Sequence, residues 1–145
     1  MSQTTRVYDA SQVSMIFMGA IIDSGFADGA FLKIEQTHPD YNTYIGADGE
    51  VTRAPSLTRH AKITVMLGQS SSGNAKLSGI NNIDILAHNG AGIGIMFVKD
   101  RLGTSLYTAQ HCWIAQAPDV QFANEPGPRE WHLECSDLIR FDGGN

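Results

Sequence analysis

Apolar and polar residues alternate through much of the chain, which is the period of a half-buried β-strand. Val13, Met15 and Phe17 alternate with Gln12, Ser14, Ile16 and Met18, and Ala61, Ile63, Val65 and Leu67 alternate with Lys62, Thr64 and Met66. In the last run Trp131, Leu133, Cys135, Ile139 and Phe141 share one parity, and Glu130, His132, Glu134, Ser136 and Arg140 the other. Asp137 and Leu138 break that run as a pair, the mark of a bulge. Ile93, Ile95 and Phe97 alternate with Gly94, Met96 and Val98. Both of those faces are apolar enough to be covered, so this strand is expected at the centre of a sheet.

The turns predict antiparallel connections. Asp100-Arg101-Leu102-Gly103 separates the strand at 93–99 from one starting near Thr104. Ala47-Asp48-Gly49 lies between Tyr41–Gly46 and Glu50–Arg53, and Asp-Gly is a strong hairpin signal. Ser24-Gly25 and Asp28-Gly29 mark a turn region before a strand at Phe31–Thr37, and Pro118, Pro126 and Pro128 punctuate the approach to the final strand. One segment has a different rhythm. Leu77, Ile80, Ile83 and Leu86 recur every three residues, with Ser71 or Ser72 as N-cap and Asn89-Gly90 as stop. They predict an amphipathic α-helix over about 72–87, weakened in its middle by Gly79. The expected fold is mainly β, with two antiparallel sheets forming a sandwich or partly closed barrel flanked by that helix. It forms a single domain over 1–145.

Length and charge narrow the function. A chain of 145 residues is long enough to bury a core without disulfide or metal support. Its longest apolar run, Met15 to Ile22, falls short of the ~18 residues that span a bilayer, and Met1-Ser2-Gln3-Thr4-Thr5-Arg6 has no apolar stretch of a signal peptide. Membrane insertion and general secretion are therefore not expected, and Cys112 and Cys135 are expected reduced and packed. Net charge is −5, from 10 Lys and Arg against 15 Asp and Glu, with no basic cluster to grip phosphates.

Candidate chemistry is sparse. His38, His60, His88, His111 and His132 form no HExxH pair and no triad order with a nucleophile elbow. His111 and Cys112 with His132 and Cys135 offer four zinc-ligand types, but strand parity sends His132 and Cys135 to opposite faces. Gly90-Ala91-Gly92-Ile93-Gly94 leads from a helix into a strand, the reverse of a phosphate-binding loop. Asp23, Asp28, Asp40, Asp48 and Glu50 lack the ligand spacing of a calcium loop. No catalytic residue, metal or cofactor is predicted. What stands out is surplus apolar surface. Ile16 and Met18 oppose Val13 and Phe17, Met96 and Val98 oppose Ile95 and Phe97, and Tyr107, Trp113 and Ala115 oppose Leu106, Cys112 and Ile114. One helix cannot cover all of these second faces, which points to burial against other subunits.

Tyr8-Asp9-Ala10-Ser11-Gln12-Val13, Gly25-Phe26-Ala27-Asp28-Gly29 and Gly46-Ala47-Asp48-Gly49-Glu50-Val51 resemble the tail tube proteins of contractile-tailed bacteriophages. So do Trp113-Ile114 before Pro118-Asp119, Arg129-Glu130-Trp131 and the closing Phe141-Asp142-Gly143-Gly144-Asn145. The resemblance runs in order from about residue 8 to the C-terminus. It implies a two-sheet fold with a flanking helix, related to the tube protein of type VI secretion. It also implies hexameric rings stacked into the inner tube of a virion tail, assembled in the host cytoplasm. The implied partners are other copies of the chain and the sheath, baseplate and tail terminator proteins, with the tape measure protein and DNA passing through the lumen unbound. Six copies at −5 each give −30 per ring, a bias that lets DNA slide. An N-terminal arm (1–10, with Ser2 to Asp9 reaching outward) and a hairpin loop (about 38–58) are the expected contacts between subunits. The candidate contact residues are Tyr41, Tyr44, Asp48, Gly49, Glu50 and Arg53, while Glu130, His132 and Glu134 are expected to line the lumen or meet the sheath. The alternative is a small-ligand or carbohydrate-binding β-sandwich of a baseplate or receptor-binding assembly, with a pocket lined by Trp113 or Trp131.

Overall fold

The computed structural model describes residues 5 and 7–144. Strand β1 (Val13–Phe17) turns directly into β2 (Ala20–Ile22), with Phe17 opposite Ala20. Only Met18 and Gly19 separate them, at φ 49° and 83°, the left-handed pair of a two-residue hairpin turn. The chain then forms β3 (Leu32–Gln36), the hairpin β4 (Tyr41–Ile45) and β5 (Val51–Pro55), and β6 (Ala61–Gly68). Helix α1 (Gly73–Ala87) follows, then β7 (Gly94–Asp100), β8 (Leu106–Gln116), β9 (Pro128–Cys135) and β10 (Ile139–Phe141). The result is mainly β, with two antiparallel sheets and one helix.

The large sheet runs β2-β1-β7-β8-β9-β6-β3, with β10 beside β8, while β4 and β5 pair only with each other. Alternation places Met15, Phe17, Ile63, Val65, Leu67, Met96, Val98, Trp131, Leu133 and Cys135 on one side of the large sheet, where they form a single buried cluster. The sheet wraps this core but does not close, because its border strands β2 and β3 do not pair. The gap between the borders is stitched by other means. Gly68 N–H donates to Gly25 O at 2.7 Å and Ala27 N–H to Met66 O at 2.9 Å, laying residues 25–27 along β6. The first turn of α1 sits in the same gap. Gly73 lies so close to Leu67 that a Cβ there would stand 3.0 Å from its side chain, with Ile22 in ordinary contact beyond. Trp131 Nε1 donates to Asn74 Oδ1 at 2.9 Å, fastening β9 to the helix.

The structure corrects several sequence expectations. The helix ends on His88 in the left-handed conformation (φ 53°), before Asn89-Gly90. Of the two expected N-cap serines, Ser71 supplies the capping bond, its hydroxyl accepting from Gly73 N–H, while Ser72 makes none. Leu77 is buried and Ile80 packs against the core, but Ile83 and Leu86 are 58% and 81% exposed. The first half of α1 therefore lies on the core, while the second half touches the loop that follows it, through Asp84 and Gly92, and leaves its apolar residues exposed. Strand β8 begins at Leu106, beyond Thr104, because Thr104 and Ser105 bond to Gly144 and Gly143 at the end of the chain. The break at 137–138 shifts parity. Leu138 enters the core, and Ile139 and Phe141, expected inside, are exposed. Strand β7 does lie between β1 and β8, yet its Ile95 and Phe97 face stays open in the single chain.

Candidate functional site

The β4–β5 hairpin is built by its turn. Gly46 N–H donates to Glu50 O and Gly49 N–H to Gly46 O, while the Asp48 carboxylate accepts from Glu50 N–H at 3.0 Å. Gly49 sits at φ 87°, where a side chain would be strained by about 1–2 kcal/mol. Asp48 and Gly49 thus shape the tip, and Glu50 immediately precedes the return strand. Tyr41, Thr43 and Ile45 share one face with Pro55, Arg53 and Val51 opposite them. On that face the Arg53 guanidinium lies 4.3 Å from the Tyr41 ring centroid. Tyr44 points to the other face, opposite Thr52. The six candidates are brought together on one hairpin but divided between its tip and its two faces.

The base of the hairpin is held by polar contacts. Ser56 N–H donates to Asp40 O at 2.8 Å, and Gln36 Nε2 to the Asp40 carboxylate at 2.8 Å. Every residue of β4 is exposed among the described residues. Sequence reading named the aromatic and charged residues and missed Ile45 and Val51, paired beside the turn and 74% and 63% exposed. Their position at the strand ends next to Gly46 and Glu50 was the available signal. A two-stranded hairpin is marginal in water by itself, and this one presents its apolar pair at the point farthest from the core.

A second open surface lies on the outer side of the large sheet. Ile21 is opposite Ile16, Ile16 opposite Phe97, and Phe97 opposite Thr108, giving a continuous row over β2, β1, β7 and β8. Ile16, Ile21 and Phe97 are 36%, 51% and 42% exposed, and with Leu106 they line a shallow groove of about 580 Å³. Its charged lining residues are Lys99, Arg101 and Asp23. A third apolar surface is the second half of α1, with Ile83, Ile85 and Leu86 exposed. The loop before β9 adds Val120 and Phe122, with Arg129 5.7 Å from the Phe122 ring centroid. Of the expected N-terminal arm, Ser2 and its neighbours up to Thr4, and Arg6, fall outside the described residues. Val7 and Tyr8 are exposed.

The residues with chemical potential are placed structurally. Cys112 and Cys135 are opposite one another in adjacent strands and fully buried. Burial pushes both thiols upward, Cys112 most, with Cys135 adding to it. Both side chains pack within the apolar core. His132 points away from Cys135 and lies 3.5 Å from the Glu130 carboxylate on the outer face. His60 lies 3.5 Å from Glu134 and hydrogen-bonds the Thr37 hydroxyl. Glu130, His132 and Glu134 all face outward, as their parity predicts. Among the described residues no three His, Cys, Asp or Glu side chains converge as metal ligands. Trp131 is 2% exposed and belongs to the core.

Comparison with known proteins agrees with this picture. Residues 19–142 match the family described as bacteriophage PhiTE tail tube protein. The chain is 29% identical over 150 residues to structural protein ORF10 of Pseudomonas phage KPP10, covering all of this chain and 87% of that protein. Among solved structures, the tube-terminating cap of the anti-feeding prophage aligns with a TM-score of 0.61 at 9% identity, covering 97% of this chain and 95% of that one. The sheath/tube terminator of an extracellular contractile injection system aligns at 0.59 and 15% identity, covering 97% and 100%. A chain of the sheath-tube complex of such a system aligns at 0.58 and 15%, covering 92% and 90%. These three likenesses establish the shared fold.

Proposed function

The chain belongs to the bacteriophage PhiTE tail tube protein family, a structural component of the phage tail, and from that premise we propose that it is the repeating subunit of the inner tail tube and not an enzyme. In this reading six copies close into a ring, and rings stack into a tube inside a contractile sheath. DNA passes through the lumen on ejection. The whole chain, 1–145, acts as one domain, and its N-terminal arm (1–10) and hairpin loop (about 38–58) reach neighbouring copies. The sheath, baseplate and tail terminator are its other partners, and the tube of type VI secretion is its proposed relative.

One observation carries the reading: the chain completes a core and still leaves a free-standing hairpin and an apolar sheet face uncovered. Exposed apolar surface on that scale marks an interaction site. In a heterologous assembly one surface meets a different surface of the next copy, and such contacts close into rings or extend as filaments. The test is negative-stain electron microscopy of the purified protein at rising concentration. Stacked rings or tubes are expected from the wild type, and folded single particles without tubes after deletion of residues 46–50. Tubes from the deletion variant would remove the hairpin from assembly. Isolated capped rings would assign the chain to the end of the tube, and particles that stay monomeric at every concentration would overturn the reading.

A further inference from the structure

The apolar hairpin tip and the apolar groove carry opposite charge at their margins. Ile45 and Val51 form a pair flanked by Asp48 and Glu50, and among the described residues neither carboxylate has a cationic partner. Ile16, Ile21, Phe97 and Leu106 line a concavity whose charged lining residues are Lys99, Arg101 and Asp23. Arg101 reaches Asp23 at 3.8 Å, and Lys99 has no carboxylate partner among the described residues. In strand order the two surfaces belong to different borders of the sheet: the groove spans β2, β1, β7 and β8, whereas the hairpin joins β3 to β6. Each copy offers one tip and one groove.

We propose that the β4–β5 tip of one copy seats in the β2-β1-β7-β8 groove of the next, with Ile45 and Val51 on Ile16, Ile21 and Phe97, and Glu50 beside Lys99. This rests on the self-assembly reading and adds to it the receiving surface and the polarity of the contact. Apolar burial holds the tip, and the charges select the register, since like charges brought together there are strongly unfavourable. Because the contact is head-to-tail, every copy added presents a fresh groove or a fresh tip, and growth continues.

Charge exchange tests the pairing. Glu50 is the residue to change, since Asp48 also shapes the turn. Glu50→Lys alone and Lys99→Glu alone are each expected to reduce the assembled fraction in sedimentation roughly tenfold or more, and the double variant to recover most of it. In a separate pair, Val51→Cys with Phe97→Cys should give disulfide-linked dimers and higher multimers under diamide, with the native thiols buried and silent. Circular dichroism confirms that each variant is folded. Full assembly by both single variants, or linkage of Phe97→Cys to Leu86→Cys in place of Val51→Cys, would overturn the pairing and leave self-assembly standing. A wild type that never assembles would overturn both.

Discussion

Between Ala109 and Cys112, both buried in β8, two exposed residues intervene where strand alternation allows one, and the register with β7 shifts there. The extra residue leaves backbone N–H groups at Gln110 and His111 without regular ladder partners. The Asp137 carboxylate takes them, accepting from His111 N–H at 3.0 Å, Gln110 N–H at 3.3 Å and the His111 ring at 3.1 Å. Asp137 itself sits in the break between β9 and β10, so one side chain fixes the irregularities of two strands. Asp137→Ala should destabilise the subunit by about 1–2 kcal/mol in urea unfolding, the lower part of the range for orphaned polar groups because the site is partly exposed. Burial alone would raise this carboxyl, but the bonds from His111 and Gln110 outweigh it and hold it below the usual range. A carboxyl with a lowered folded pKa contributes stability that is present above its unfolded value near 3.9 and is lost as pH falls through the folded one. The gap in urea midpoint between wild type and Asp137→Ala is therefore expected at full size at neutral pH and to shrink below about pH 4. A gap that stays constant would mean the ionised carboxylate is not what holds the bulge.

At the scale of elements, α1 has two halves with different fates. Leu77→Ala, in the buried first half, is expected to lower the stability of the isolated subunit by about 2–5 kcal/mol. Leu86→Ala, in the exposed second half, should change it by no more than about 0.5 kcal/mol. Urea unfolding of the two variants side by side checks this, and similar losses from both would show that the second half is covered within the single chain. The apolar spacing of Leu77, Ile80, Ile83 and Leu86 was enough to recognise a helix, because period is a property of the segment. Which half is buried depends on what lies against it, and spacing carries no such information. The same limit applies to the hairpin. Asp48-Gly49 announced the turn and the flanking residues its strands, but not that they would pair with nothing else. The β1–β2 turn stayed hidden for a local reason: Met18 takes the left-handed position usually given to Asn, Asp or Gly, inside an apolar run. The break at Asp137 and Leu138 was visible in the alternation. Its effect, turning Ile139 and Phe141 outward, depended on how many residues the bulge absorbed.

For the molecule as a whole, charge is arranged so that no surface strand offers a cationic stripe. Glu35 is opposite Lys62 and Lys62 opposite Glu134, so across β3, β6 and β9 Lys62 has a carboxylate on either side. Phosphate binding depends on cations that release counterions from the nucleic acid, and a lysine between two glutamates has little positive potential to give. With a net charge of −5 the subunit as a whole also repels DNA. In the proposed tube such a surface would favour DNA passage, since bound phosphates would slow it. Anisotropy of a labelled duplex titrated with the protein in about 0.1 M salt is expected to show no saturable change over roughly 10⁻⁶–10⁻⁴ M, where non-specific binders respond. Glu35→Lys with Glu134→Lys turns the row into three adjacent lysines. That variant should acquire binding in the same range, lost again as salt is raised. If the wild type already binds in a salt-sensitive way, a cationic surface dominates over the acidic balance and free passage of DNA loses its electrostatic basis.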